Sequence, residues 1–297
     1  MGYLSRFNNT SRENTGEGKP KDTHRELLEA MTYEVIPLKN VYEQATHLEP
    51  GSTISVTCSP AKTIQDTLDL CAMLAGQGHR VIPHLAARMV ENEKDTEEIL
   101  RHVENQGIKT VFVIGGDADQ RGPFSNAAEF LYSFLNKSPE IDTVGIGSYP
   151  DGHADISNEI LLNSLTQKQE IIASAGFSGY MATQMCFDPE TIRNWLTEIR
   201  RVGISLPCQL GVPGAVDRAK LLNISIRVGV GNSVRYLSKN RASVIRLLSP
   251  RGYNPNKLIA PLASSASELR ITGLHCFTFN AVESTLKWQK KSVAKLN

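Results

Sequence analysis

No stretch of this chain approaches the roughly eighteen uninterrupted apolar residues that a membrane-spanning helix requires. The first residues, MGYLSRFNNTSRENTGEGKPKD, hold no apolar core of the kind a secretory signal carries. No membrane partner is expected, and the expected compartment is the cytoplasm. Charge of one sign is also missing, since 32 Lys and Arg against 31 Asp and Glu leave a formal net charge of +1. That balance announces no basic face, so nucleic acid is not an expected partner. The five cysteines, Cys58, Cys71, Cys186, Cys208 and Cys276, are odd in number and scattered, without a CxxC pair or a zinc-finger histidine spacing. They read as structural thiols in a reducing compartment, with no metal site, and Cys58 at a strand end is the one candidate for a reactive thiol. GxxxxGK[ST], HExxH and GxSxG are absent. Gly145-Ile-Gly147 and Gly229-Val-Gly231 open like dinucleotide-binding turns, but neither supplies the third glycine.

What is present is alternation. Eight strand-like apolar runs begin at Thr32, Thr53, Arg80, Thr110, Asp142, Tyr180, Pro207 and Leu274, with helix-like stretches between them. Helices are expected from Thr63 to the glycines at 76 and 78, from Asp95 to Gly107 and from Ser125 onward. Further ones are expected over about 156–174, 189–201, 216–226 and 281–290, with an additional helical pair over 232–248. Alternation with short loops argues for a parallel sheet, and eight strands favour closure into a single (β/α)8 TIM-type barrel over an open doubly wound sheet. A barrel takes about 250 residues, so 297 residues need no second domain. Residues 1–22 are polar and lack apolar periodicity, which predicts a short flexible N-terminal extension before a barrel domain over 23–297.

A closed barrel brings the carboxyl ends of its strands to one face, where catalytic sites form. Glu34, Thr57, His84, Asp117, Tyr149 and Gln184 stand at such ends. Each also has a plainer reading. Glu34 can cap a loop, Asp117 can be a turn aspartate after two glycines, His84 can be a satisfied core histidine, and Tyr149 before proline can be loop packing.

These segments resemble, in order, those of the methylenetetrahydrofolate reductases. YEVIP at 33–37 resembles the family's FEFFPP, SVT at 55–57 its second-strand end and PHL at 83–85 its PHLT. GGDAD at 115–119 resembles its RGD, SYPDGH at 148–153 its YPEGHP, ATQMCFD at 182–188 its TQFFFD and GLHCFTFN at 273–280 its last strand. The resemblance implies a TIM-type barrel, FAD across the carboxyl face, and NADH or NADPH as electron donor. It implies reduction of 5,10-methylenetetrahydrofolate to 5-methyltetrahydrofolate in one-carbon and methionine metabolism, with the folate and the nicotinamide nucleotide as binding partners. A homo-oligomer is compatible with it.

That reaction needs a proton on the departing nitrogen of the imidazolidine ring. Glu34, between Tyr33 and Val35, is the candidate acid, since an apolar setting disfavours its charged form and raises its pKa. Asp117 matches an aspartate that tunes the flavin and stabilises the cationic folate intermediate, an electrostatic role. Gln184 matches a folate-contacting glutamine. Thr57, His84, Tyr149 and His153 match flavin contacts, and Lys168 is expected to pair with a cofactor phosphate, with a solvated lysine on a polar helix face as its plainer reading. GVPGAVDRAKLL at 211–222 resembles the stretch after the seventh strand, which would let Leu221 cover the pterin or the nicotinamide, but helical spacing favours Leu221 and Leu222 as core residues. Two positions depart from the pattern: Pro37 is followed by Leu38, and Gly115 stands where the family has arginine. The alternatives are a flavin-free reductase passing hydride directly from nicotinamide to folate, a tetrahydrofolate-dependent methyl-transfer component of a demethylation pathway, and a non-catalytic ligand-binding barrel.

Overall fold

Helix starts in this chain are marked by short polar side chains that take up free backbone N–H groups. Thr63 forms a reciprocal capping box with Asp66 at the head of Ile64–Gly76. Asn92, Asn126, Ser157 and Asp188 cap Glu93–Asn105, Ala127–Leu135, Asn158–Ser174 and Pro189–Arg201 in the same sense, and Pro189 occupies the first turn of its helix, where no donor is needed. The computed structural model describes residues 20–59, 61–153, 155–215 and 254–297. The helices expected over 216–226 and 232–248, and Gly229-Val-Gly231, lie outside the described residues. The helix Pro20–Glu29 begins inside the span expected as a tail, and Asn256–Ala263 is a further helix that the sequence reading did not single out. The last helix is Val282–Val293. No helix among the described residues is long and apolar enough to cross a membrane.

The strands are β1 (Met31–Val35), β2 (Thr53–Val56), β3 (Arg80–Ala86), β4 (Thr110–Ile114), β5 (Thr143–Ser148), β6 (Ser178–Thr183), β7 (Cys208–Pro213) and β8 (Ile271–Phe277). Each pairs in parallel with the next, and β8 returns to β1, closing the barrel. The (β/α)8 architecture expected from the alternation is therefore the observed fold, and the open sheet is ruled out. Side chains alternate along each strand. Tyr33 and Val35 of β1, Val111 and Val113 of β4, and Val144 and Ile146 of β5 join the large apolar cluster between sheet and helices. The opposite parity fills the barrel, where Ile82, Phe112, Tyr180 and Ala182 form a separate cluster. Gly145 makes room for it: a Cβ there would stand 2.3 Å from Phe112 and 2.6 Å from the Tyr180 hydroxyl. Gly145 thus serves packing, and the Gly-Ile-Gly segment lies within β5 rather than in a phosphate-binding turn.

Beyond the last β1–β8 backbone pair, Asn280 extends the closure with its side chain. Its Oδ1 accepts from Ile36 N at 2.8 Å and its Nδ2 donates to the Ile36 carbonyl at 2.8 Å. Phe279 and Asn280 both hold positive φ, 49° and 53°, a conformation asparagine tolerates better than most residues. Truncation would leave the buried N–H of Ile36, just past β1, unpaired, at about 1–3 kcal/mol, while the Ile36 carbonyl would keep its bond from Leu38 N at 2.7 Å. Asn280→Ala is expected to lower unfolding stability by about 1–3 kcal/mol in urea titration.

Candidate active site

Glu34 lies on the inward parity of β1, near its carboxyl end, and its backbone carbonyl accepts from Thr278 Oγ1 at 2.6 Å and from Thr278 N at 3.2 Å. Its carboxylate oxygen Oε2 lies 2.8 Å from His275 Nε2 and 3.9 Å from His84 Nε2. Both imidazoles are buried, while the Glu34 side chain keeps 13% of its surface exposed. His84 Nε2 also meets Ser55 Oγ at 2.7 Å, and its ring stacks on Phe112 with centroids 4.6 Å apart. His275 lies 5.8 Å from Phe112 and takes Phe277 edge-on at 5.1 Å. The result is a polar cluster resting on an aromatic floor. Burial lowers the His84 pKa to about 4, and the charge of Glu34 opposes the shift only in part, so His84 is neutral near pH 7.

The donor atoms of Glu34, His84 and His275 lie within 4.8 Å of one another, close enough for a divalent ion. Yet Ser55 and Glu34 already occupy the two Nε2 atoms, and His275 Nδ1 is buried without the acceptor that usually orients a ligating imidazole. These side chains fit a hydrogen-bonded network better than a metal centre.

The other expected residues follow strand ends on the same face. Thr57, past β2, donates its backbone N–H to Val35 O at 3.0 Å. Asp117 is exposed beyond the turn at Gly116, where φ is +87°. Arg88 secures that turn, donating from Nη1 to Gly116 O at 3.2 Å and from Nε to Ser125 O at 3.0 Å. Tyr149 has its phenol pKa raised, first by burial and then by the charge of Asp117, and it meets His153 edge-on at 5.5 Å. Gln184 donates its backbone N–H to Ser148 O at 2.7 Å, and its Oε1 accepts from Met185 N at 2.9 Å. Lys168, on the helix Asn158–Ser174, is buried; burial lowers its pKa to about 8, and Nζ reaches Gly147 O at 3.5 Å. No described carboxylate forms an ion pair with it. Leu221 and Leu222 lie outside the described residues.

The structure thus gathers Glu34 and His84 at one point, brings Asp117 near Tyr149 and His153, and sets Lys168 behind the end of β5. Gln184 makes no described hydrogen bond to the Glu34 cluster. The Cys58 thiol donates to His84 O at 3.0 Å and burial pushes its pKa up to about 11, which removes it as a nucleophile near neutrality. A cavity of about 780 Å³ opens at the other end of the barrel, lined by Thr32, Thr53 and Arg80 among others. It does not include Glu34, His84 or His275. The chemistry of the side chains and the usual carboxyl-end location both favour the Glu34 cluster.

Reading strand ends alone overlooked Ser55 and His275, one turn of the pleat deeper. The signal was available, because Ser55 shares the parity of Thr57, and His275 shares that of Phe277 in a strand otherwise apolar near its end.

The fold and site define a parallel α/β barrel with a carboxyl–imidazole pair inside its carboxyl-end mouth. A family model described as methylenetetrahydrofolate reductase matches residues 19–223, and the chain belongs to that family. Methylenetetrahydrofolate reductase 2 of Saccharomyces cerevisiae is 23% identical over 125 residues, covering 39% of this chain and 20% of the yeast protein. The match thus spans about a fifth of that relative's length. Among solved structures, a putative phosphonomutase from Burkholderia cenocepacia J2315 superposes with a TM-score of 0.47 at 11% identity, covering 93% of this chain and 98% of that one. Dihydropteroate synthase from Xanthomonas albilineans gives 0.42 at 11% identity, covering 89% and 92%. Likeness at that level leaves the chemistry open.

The buried neutral His84 makes stability depend on pH. Its folded pKa of about 4 lies below the ordinary 6.5, so the folded state binds fewer protons between these values. The contribution is intact above about pH 6.5 and is lost as pH falls through about 4. Wild type is expected to lose up to about 3 kcal/mol more than His84→Gln over that window, as read by denaturant titration at a series of pH values.

Proposed function

We propose that this chain reduces 5,10-methylenetetrahydrofolate to 5-methyltetrahydrofolate with electrons from NADH or NADPH. The observation that carries this reading is Glu34: a partly exposed carboxyl group inside the barrel mouth, with one oxygen held by a buried imidazole. Family membership supplies the substrate class. Glu34 gives its proton to the ring nitrogen that departs from the bridging carbon, and the C–N electron pair moves to that nitrogen. The exposed iminium carbon then accepts a hydride. Asp117 contributes fixed negative charge toward the cationic folate, and Gln184 offers an amide that can both donate to and accept from the pterin edge.

The residues fit FAD. Lys168 is a desolvated ammonium with a carbonyl and no described carboxylate for a partner, a setting that suits an anionic group such as a cofactor phosphate. Thr57, His84, Tyr149 and His153 would join Lys168 in holding the cofactor. When bound, the flavin supplies a two-electron relay between nicotinamide and folate. Gly115, in place of the family's arginine, favours one second reading, in which hydride passes directly from nicotinamide to folate.

Anaerobic oxidation of NADH or NADPH by methylenetetrahydrofolate, with FAD restored to or withheld from stripped protein, tests the proposal. Turnover that requires FAD is expected; turnover without it selects direct transfer, and none in either case refutes the reductase. Glu34→Gln should lower kcat by about 10²–10⁴-fold, the range of general acid catalysis. Lys168→Met should weaken FAD binding by about tenfold or more in a fluorescence titration, the loss of one charged hydrogen bond.

A further inference from the structure

We propose that His275 is a positioning residue that directs the transferable proton of Glu34 onto Oε1, the oxygen facing away from the imidazole. This rests on the reading of Glu34 as the acid. A neutral imidazole has one proton and two nitrogens on which to carry it. His275 Nδ1 is buried with no partner, whereas Nε2 stands 2.8 Å from Glu34 Oε2. A proton on Nδ1 would leave a buried N–H with no acceptor, a costlier loss than an unfilled ring lone pair. The proton therefore belongs on Nε2, and His275 donates to Oε2.

An oxygen already accepting from an imidazole is a poor place for a carboxylic proton. The acid's hydrogen is left to Oε1, which has no hydrogen-bond partner among the described residues. Once that proton has moved to the departing ring nitrogen, the same Nε2–H meets a carboxylate, and the bond strengthens because its acceptor is now charged. His275 acts in both states without accepting a proton. Its own place is set by β8, where its backbone pairs with Thr32 of β1, and by Phe112 and Phe277 around its ring.

The described titratable groups facing Glu34 inside the barrel are His275 from β8 and His84 from β3, while Cys276 of β8 lies on the opposite face of the strand and feels only the charge of Glu34. Burial raises the Cys276 thiol and lowers His84 to about 4. The test follows the Glu34 carboxyl by ¹³C NMR of glutamate-labelled full chain, with its signal assigned by its loss in Glu34→Gln. His275→Leu should raise the Glu34 midpoint by about one unit or more, since a donor to the charged form is gone. His275→Gln, whose amide can reach the same oxygen, should restore most of the shift. If His275→Leu does not fold by thermal melting, His275→Asn, too short to reach Oε2, replaces it. An unmoved midpoint overturns the proposal, and this readout needs no turnover, so it stands apart from the reductase reading. Kinetically, His275→Leu should lower kcat by about tenfold or more with little change in KM. It should cost nothing further in a Glu34→Gln background, and a full additional loss there would also overturn the proposal.

Discussion

The return of β8 to β1 is the constraint on which the rest depends. Without that pairing, Glu34 and His275, 241 positions apart in sequence, have no reason to meet. The register sets Thr32 beside His275 and Glu34 beside Phe277. Glu34 and His275 are therefore offset by two residues along neighbouring strands, both with inward parity. Thr278 and Asn280 prolong the same seam by donating to the carbonyls of Glu34 and Ile36, so the strand that carries the acid is held beyond its last regular backbone pair.

Placing polar groups inside a barrel is costly unless each finds a partner. Here the cost is reduced by joining the polar side chains of the carboxyl-end layer to one another. Ser55, His84, Glu34 and His275 are joined by hydrogen bonds at 2.7 and 2.8 Å and an approach of 3.9 Å, while Ile82, Phe112, Tyr180 and Ala182 fill the barrel beneath them. Burial then serves chemistry. His84 is kept neutral, so the cluster carries no fixed positive charge at His84 to oppose proton release by Glu34 or to bind its carboxylate permanently. Within this four-residue cluster the buried nitrogen left unpaired is His275 Nδ1, and that distinguishes the two nitrogens of the ring; beneath it the Tyr180 hydroxyl is buried without a partner too.

Membership of the methylenetetrahydrofolate reductase family agrees with this arrangement, but the two rest on different information. The family match follows the order of segments along the chain. The carboxyl–imidazole pair joins the first strand to the last, and the last strand lies beyond residue 223, where the family match ends.

Sequence alone determined the barrel, because apolar alternation, turn glycines and helix caps are local signals and eight repetitions of them leave few ways to bury the sheet. It also determined that Glu34, Thr57, His84, Asp117, Tyr149 and Gln184 would stand at strand ends, since position within a strand is itself a local property. The pairing of those residues was not legible. Periodicity states which face a side chain takes but not which strand lies across from it, and a histidine in an apolar strand looks the same whether it fills space or holds a carboxylate. Only closure of the barrel decided that Glu34 would meet His275, that His84 would turn to Ser55, and that Gly145 would yield its space to two aromatic rings. Each of these depends on distances across the barrel, which exist only once the eighth strand has found the first.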